Sequence, residues 1–305
     1  MPTEAHPDVL YRELSVIQLK EFKPSPSALL QEVINFGTQA FIRCISSVDQ
    51  EENVHLAPFA LYRQILELTD GTEILVSNAA PAATIPLLRN TFEGLLSLEY
   101  ILEDNDYYKE RSLAWLAGYV LGTLRTYNSL IASTTEGENF SSAIAEDKSV
   151  RSFPLPPEEE VKKAIENLDR LLSREQFKAI IEKYNRYKRT PHWYSLFGGS
   201  ANLYELCRHL KRTAQYEVLY RGWSLSAHAY DFRPFIMPGK SGESGIRGLR
   251  DLSSTFEVTT FTVTFIIEAT RLLIQKYHPG EDWSKWYFRE VRDAYVQFAK
   301  SYPHR

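Results

Sequence analysis

The apolar residues of this chain recur at intervals of three and four positions, which is the spacing of helices that bury one face. This period predicts helices over residues 28–48, 55–68, 85–103, 106–131, 252–277 and 282–302. Residues 252–277 are rich in Thr, Val and Ile and would also suit a strand, but the length of the segment favours a helix. Strands and helices do not alternate along the chain, so the sequence predicts an all-α multi-helix bundle.

The distribution of polar residues predicts the domain organisation. Residues 1–27 are interpreted as an N-terminal arm, and residues 28–305 as a single helical domain. Residues 158–189 begin with acidic residues after two prolines, which favours a helix N-terminus, and they are more polar than their neighbours. This segment is therefore predicted to be an exposed helical hairpin inserted into the bundle. Residues 132–155 and 233–248 are rich in turn-forming residues and are predicted to be loops.

The composition excludes several classes of protein. A hydrophobic content of 44% and a net charge of -4 are those of an ordinary globular protein, and they argue against a surface coated in basic residues. Cys44 and Cys207 lie outside any CxxC or Cys/His spacing, so neither a disulfide framework nor a zinc site is predicted, and a reducing cytoplasm fits. The polar start does not resemble a secretory signal, and no run of about 18 apolar residues occurs, so no membrane span is expected.

Familiar cofactor and metal motifs are absent from the sequence. There is no phosphate-binding loop, dinucleotide-binding fingerprint, GxSxG elbow or HExxH sequence. The seven histidines never pair at i, i+3 or i, i+4, which is the spacing of helical metal ligands. The sequence therefore predicts neither a metal nor a cofactor.

The stretch YRGWSLSAH, residues 220–228, places polar side chains in a predicted apolar helix. Arg221, Ser224 and His228 share one helix face, and Arg221 and His228 would be about 10 Å apart along the axis. A phosphodiester could lie between them. The guanidinium would bind developing negative charge through paired hydrogen bonds, and the imidazole could take or give the proton of a ribose hydroxyl. This chemistry needs no metal.

A second polar stretch, RNTFE at residues 89–93, lies in another apolar helix. Arg89 and Glu93 are spaced at i, i+4, and an unpaired charge in such a helix is expensive to bury. Either the two residues satisfy each other, or one of them reaches to Arg221, Ser224 or His228.

A structural interpretation accounts for the same residues. Arg, Ser and His on a buried helix face can form a polar network that only holds helices together, and i, i+4 ion pairs are common. The one conspicuous basic cluster is either a solvated surface or a nucleic-acid patch, and the solvated surface is the more common of the two. Its residues are Lys183, Arg186, Lys188 and Arg189.

The polar stretches resemble known families. The Arg-x6-His spacing from Arg221 to His228 is similar to the RX4-6H signature of the HEPN superfamily, which contains all-helical ribonucleases and nucleotide-binding proteins. More closely, RNTFE at residues 89–93, Trp193 and the stretch YRGWSLSAH resemble an uncharacterised bacterial helical family, the domain of unknown function numbered 5677. This resemblance covers roughly residues 87–231.

The resemblance implies a HEPN-like core in which Arg221 and His228 are catalytic. It also implies a homodimer, because HEPN sites are usually assembled from two facing RX6H helices. Gly222 is a departure, since HEPN nucleases commonly have a polar residue after the arginine. The implied supporting residues are Arg89, Glu93, Tyr220 and Ser224.

Two functions follow. The first is a metal-independent endoribonuclease of a bacterial toxin or antiphage-defence type, in which His228 acts at a ribose hydroxyl and Arg221 stabilises the phosphorane charge. The second is a non-catalytic helical sensor or regulatory module that binds a nucleotide or a protein partner. The candidate partners are therefore RNA, a second copy of the chain, and a partner protein of a defence operon.

Overall fold

The computed structural model describes residues 5–6, 9–14, 19, 22–48, 53–150, 154–187, 191–227, 236–238 and 244–302. Helices lie at Pro26–Ile45 (α1), Leu56–Ser77 (α2), Ile85–Leu102 (α3), Tyr108–Asn128 (α4), Thr135–Glu146 (α5), Glu158–Leu172 (α6), Glu175–Asn185 (α7), Leu203–His209 (α8), Thr213–Gln215 (α9), Arg221–Ala227 (α10), Thr255–Tyr277 (α11), Ser284–Trp286 (α12) and Asp293–Ser301 (α13). The predicted all-α multi-helix bundle is confirmed.

Shorter elements complete the described chain. Turns of 3-10 helix lie at Asn53–His55, Pro81–Thr84 and Trp193–Gly198. Turns of π-helix lie at Tyr216–Tyr220, between α9 and α10, and at Tyr287–Arg292, between α12 and α13. Two short strands, Ile236–Pro238 (β1) and Ser244–Ile246 (β2), pair antiparallel with Ile236 opposite Ile246.

The long helices form where the apolar period predicts them. The hydroxyl of Ser25 caps α1 by accepting from the Ala28 N–H at 3.1 Å. Helix α11 tolerates its threonines because their hydroxyls donate to carbonyls one turn earlier, as Thr262 does to Val258 at 2.7 Å. Helix α2 extends to Ser77, nine residues beyond the predicted end at 68, and its buried Thr69 makes the same kind of bond.

Both predicted loops contain regular structure. Helix α5 lies within residues 132–155, and it buries little besides Gly137, so no apolar period marks it. Its start is specified locally, because the Thr134 hydroxyl accepts from the Gly137 N–H at 3.0 Å and two glutamates occupy the first turn. The strands β1 and β2 lie within residues 233–248. At three residues each they are too short to show an alternating pattern.

Contacts divide the chain into two compact units, residues 1–103 with 207–305 and residues 104–206. The prediction of a single domain at 28–305 after an arm at 1–27 stays a prediction. In the first unit, α1, α2, α3 and α11 pack on one another. The buried hydroxyl of Tyr62 lies 2.7 Å from the Thr270 hydroxyl, and Gly37 permits this close packing because a Cβ there would lie 2.8 Å from Leu66.

In the second unit, α4 packs against α6, α7 and the 3-10 turn at Trp193–Gly198. Buried Phe177 and Ile180 line α7, and the Tyr184 hydroxyl donates to the Ala114 carbonyl of α4 at 3.0 Å. Two residues separate α6 from α7, so the segment predicted as a hairpin consists of two successive helices.

Within the described ranges, none of the helices combines the length and apolarity needed to cross a membrane.

Candidate functional site

The π-turn at Tyr216–Tyr220 introduces the segment that contains the predicted site. A π-turn changes the register of the residues that follow it and is frequent at functional positions. Leu219, just before the motif, and Trp223, within it, are buried, and the Trp223 ring makes edge contacts with Phe261 and Phe265 of α11. Helix α10 also packs against α3. These contacts fix the segment beside α3.

Arg89, Glu93 and Tyr220 form one hydrogen-bonded group, which we call the Arg89 cluster. The Arg89 guanidinium donates to the Tyr220 hydroxyl at 2.8 Å, and this hydroxyl donates to Glu93 Oε1 at 2.9 Å. Arg89 Nε lies 3.2 Å from the same carboxylate oxygen, and the guanidinium lies over the Tyr220 ring at 4.8 Å. Two hydrogen bonds and an ion pair therefore join the three side chains, although the buried Arg89 Nε–H makes no hydrogen bond of its own with the described residues.

The cluster keeps Arg89 and Tyr220 in their ordinary charge states. Burial alone would lower the pKa of Arg89, but the interactions with Tyr220 and Glu93 outweigh it and the pKa is raised. Burial raises the pKa of Tyr220, Arg89 opposes this, and Glu93 adds to it, with a raised pKa as the net result. At neutral pH the phenol is a hydrogen-bond donor and not a base.

Of the two alternatives for Arg89 and Glu93, the structure has them paired with each other, and it adds Tyr220. Arg221 lies at the start of α10, and its guanidinium forms an ion pair with Glu217 at 2.7 Å. The Arg221 side chain is 67% exposed. The exposed guanidinium can therefore reach an incoming phosphate, at the cost of exchanging a surface ion pair that is worth at most about 1 kcal/mol.

The remaining predicted residues are Ser224 and His228. Ser224 lies on α10, one turn after Arg221, and is half-buried. His228 lies outside the described residues. The structure thus brings three of the predicted supporting residues together, and it places Arg221 immediately after Tyr220, the last residue of the π-turn.

A second group of charges on α3 was missed by sequence reasoning. Arg212 is 11% exposed and pairs with Glu99 of α3 at 2.5 Å and with Glu268 of α11 at 2.8 Å. Glu103, the residue that follows α3, lies 2.6 Å from His209. The signal that could have found this group is the spacing of acidic residues at the end of α3, where Glu99 and Glu103 repeat the i, i+4 spacing of Arg89 and Glu93.

Burial also decides the chemistry of Cys207. It raises the pKa of this thiol to about 12, although Arg212 opposes the shift. A protonated, buried thiol is a poor nucleophile. Cys207 is therefore part of the core beside Arg212. Within the described part of the chain, no group of three His, Cys, Asp or Glu residues could hold a metal ion.

Comparisons with known proteins bear on this region. A family model described as a family of unknown function (DUF5677) matches residues 55–237. The matched range includes the whole Arg89 cluster and Arg221. Neither the curated proteins nor the solved structures contain a match to this chain.

Proposed function

Because the chain belongs to the family of unknown function DUF5677, whose description names no activity, we propose a function from the site: a metal-independent endoribonuclease. It acts in the cytoplasm as a bacterial toxin or antiphage-defence protein, and its core is HEPN-like. Its catalytic residues are Arg221 and His228. It works as a homodimer, and a partner protein of the same operon controls it.

The observation that carries this proposal is the position of Tyr220. The Arg89 cluster fixes Tyr220 by hydrogen bonds to two residues of α3, and Arg221 is the next residue along the chain. Anchoring one residue restricts the backbone of the next. The backbone position from which the exposed Arg221 side chain extends is therefore defined. Such preorganisation of a cation favours electrostatic stabilisation of a transition state.

The proposed reaction is a transesterification within RNA. His228 accepts the proton of a ribose 2'-hydroxyl, and the oxygen attacks the adjacent phosphorus. The bond from phosphorus to the 5'-oxygen breaks, which leaves a 2',3'-cyclic phosphate, and the departing 5'-oxygen takes up a proton to become a hydroxyl. Arg221 stabilises the negative charge of the phosphorane, and Ser224 donates a hydrogen bond to a phosphate oxygen.

A second candidate is a non-catalytic module that senses or regulates by binding a nucleotide or a protein. The observation that favours it is the mutual satisfaction of the site's charges. The members of the Arg89 cluster bond to one another, and Arg221 pairs with Glu217. Networks of this kind can serve only to hold helices together.

A cleavage assay tests the first function against the second. Purified protein is incubated with RNA in EDTA, and the new ends are mapped for wild type, Arg221→Ala, His228→Ala and Arg63→Ala. Arg63 is the matched control, because it also forms an exposed i, i+4 pair, with Glu67. We expect cyclic-phosphate ends from wild type and Arg63→Ala, and a loss of about 10²–10³-fold in rate for Arg221→Ala.

Two results would contradict the nuclease. One is RNA that stays intact with folded wild-type protein. The other is cleavage that survives both Arg221→Ala and His228→Ala. Equal melting temperatures for wild type and the two variants, with cleavage lost, would exclude an explanation by unfolding.

A further inference from the structure

The second unit contains a cleft that the proposed nuclease does not use. Its volume is about 440 Å³, within the range of small-molecule sites. All of the lining residues belong to residues 104–206, and none of them is in the Arg89 cluster or on α10. They are Tyr107, Lys183, Arg186, Tyr187, Leu196, Phe197 and Gly198.

Two of the lining residues are cations that pair with no carboxylate in the described part of the chain. Lys183 and Arg186 lie at the C-terminal end of α7, where positive charge is favoured by the helix dipole. Among the residues that the structure describes, no acidic side chain forms an ion pair with either one. The Lys183 ammonium lies 3.6 Å from the centre of the Phe197 ring. The cleft therefore presents two positive charges that no carboxylate of the described residues compensates.

Aromatic rings make up much of the remaining wall. Tyr107 is 48% exposed and Tyr187 is 50% exposed, so both side chains are accessible to a ligand in the cleft. Phe197 is half-buried, and its backbone has a φ of +59°, the left-handed region that bulky residues rarely adopt. Gly198 follows with a φ of +74°. Conformations of this kind cluster at ligand sites, where the surroundings hold them.

We propose that this cleft binds a nucleotide, with the phosphate at Lys183 and Arg186 and the base against the aromatic rings. Two uncompensated cations select an anion over a neutral aromatic compound. Rings with exposed faces select a planar base over a simple inorganic anion. The volume suits one nucleotide. The inference goes beyond the proposed nuclease, because the two sites share no residue.

Titration calorimetry on the full chain tests this directly. The probes are AMP, GMP, CMP and UMP, with adenosine, inorganic phosphate and a short RNA as comparisons. We expect at least one monophosphate to bind, and adenosine and phosphate each to bind about tenfold or more weakly. Binding by phosphate at equal strength, binding by the RNA alone, or no binding by wild type would each overturn the proposal.

Variants assign the binding to the cleft. Lys183→Ala, Arg186→Ala and Tyr187→Ala should each weaken nucleotide binding about tenfold. Lys178→Ala is the matched control, because Lys178 is an exposed cation on the same helix that does not line the cleft. Affinity unchanged in all three cleft variants would contradict the site. If Lys183→Ala fails to fold, Arg186→Gln and Tyr187→Leu carry the test, since both side chains are exposed.

The outcome can be separated from that of the nuclease proposal. Arg221→Ala should bind the nucleotide as wild type does. Intact RNA together with nucleotide binding would remove the nuclease and leave the cleft, and cleavage without nucleotide binding would do the reverse.

Discussion

The charged side chains of the first unit and those that line the cleft of the second unit differ in their ion-pair and hydrogen-bond partners. On α3, Arg89 and Glu93 bond to Tyr220, and Glu99 pairs with the largely buried Arg212. In the cleft, Lys183 and Arg186 have no carboxylate partner within the described residues. Charges that are satisfied within the protein stabilise and position its helices, whereas charges left uncompensated are available to a ligand.

The largest loss of stability is expected when Arg212 is substituted. Arg212→Ala should lower the free energy of unfolding by about 3–5 kcal/mol, because it leaves two glutamates without their partner in a largely buried site. Urea denaturation measures the change. Arg63→Ala, which breaks an exposed pair, should cost at most about 1 kcal/mol. Equal losses of unfolding free energy in the two variants would show that the ion pairs of Arg212 stabilise the protein no more than an exposed pair does.

A smaller effect is expected in the Arg89 cluster. Arg89→Ala should cost about 1–3 kcal/mol, because it removes a charged donor and leaves Tyr220 and Glu93 with fewer bonds. A double-mutant cycle with Tyr220→Phe should give a coupling energy of about 0.5–3 kcal/mol. Strictly additive losses would mean that the two residues do not act together.

The buried thiol of Cys207 should make the free energy of unfolding depend on pH in the alkaline range. Burial raises the pKa of this thiol from 9.0 to about 12, so the native state holds a proton that the unfolded state loses above pH 9. The free energy of unfolding should therefore fall between pH 9 and 12, and Cys207→Ala should make the fall less steep. Denaturation at several alkaline pH values measures the two slopes. Identical slopes would place the thiol in contact with water.

The smallest effect on stability is expected in the cleft. Arg186→Ala should change the free energy of unfolding by about 0.5 kcal/mol or less, since the side chain is exposed and forms no ion pair with the described residues. The same variant should weaken nucleotide binding about tenfold. Thermal denaturation together with calorimetry measures both. A large loss of stability would show that Arg186 has a stabilising partner within the protein, as Arg212 does.

The sequence predicts the fold where a helix buries an apolar face. Helices α3 and α11 lie close to their predicted ranges, because their buried residues recur with the helical period. Helix α5 has no such period, since Gly137 is its one buried residue, and capping by Thr134 specifies it instead. Strands β1 and β2 depend on pairing with each other, which a local pattern does not show.

In the candidate site too, the sequence predicts what depends on local spacing and does not predict what depends on long-range contacts. The i, i+4 spacing of Arg89 and Glu93 predicts their pairing, and the resemblance brought in Tyr220 as a supporting residue. Arg212 could not be predicted in this way, because its partner Glu99 is 113 residues away and only the packed bundle joins them. Lys183 and Arg186 of the basic cluster line the cleft, whereas Lys188 and Arg189 lie outside the described residues. The sequence does not predict a cleft there, because the aromatic rings that line it come from three separate segments.

The most direct test of the proposed nuclease is made in living bacteria. Wild type, His228→Ala and Arg63→Ala are expressed, growth is followed, and the RNA ends of the three cultures are sequenced. The proposal predicts growth arrest and new cyclic-phosphate ends with wild type and Arg63→Ala, and neither with His228→Ala. The same growth and the same RNA ends in all three cultures, with all proteins soluble and folded, would contradict it.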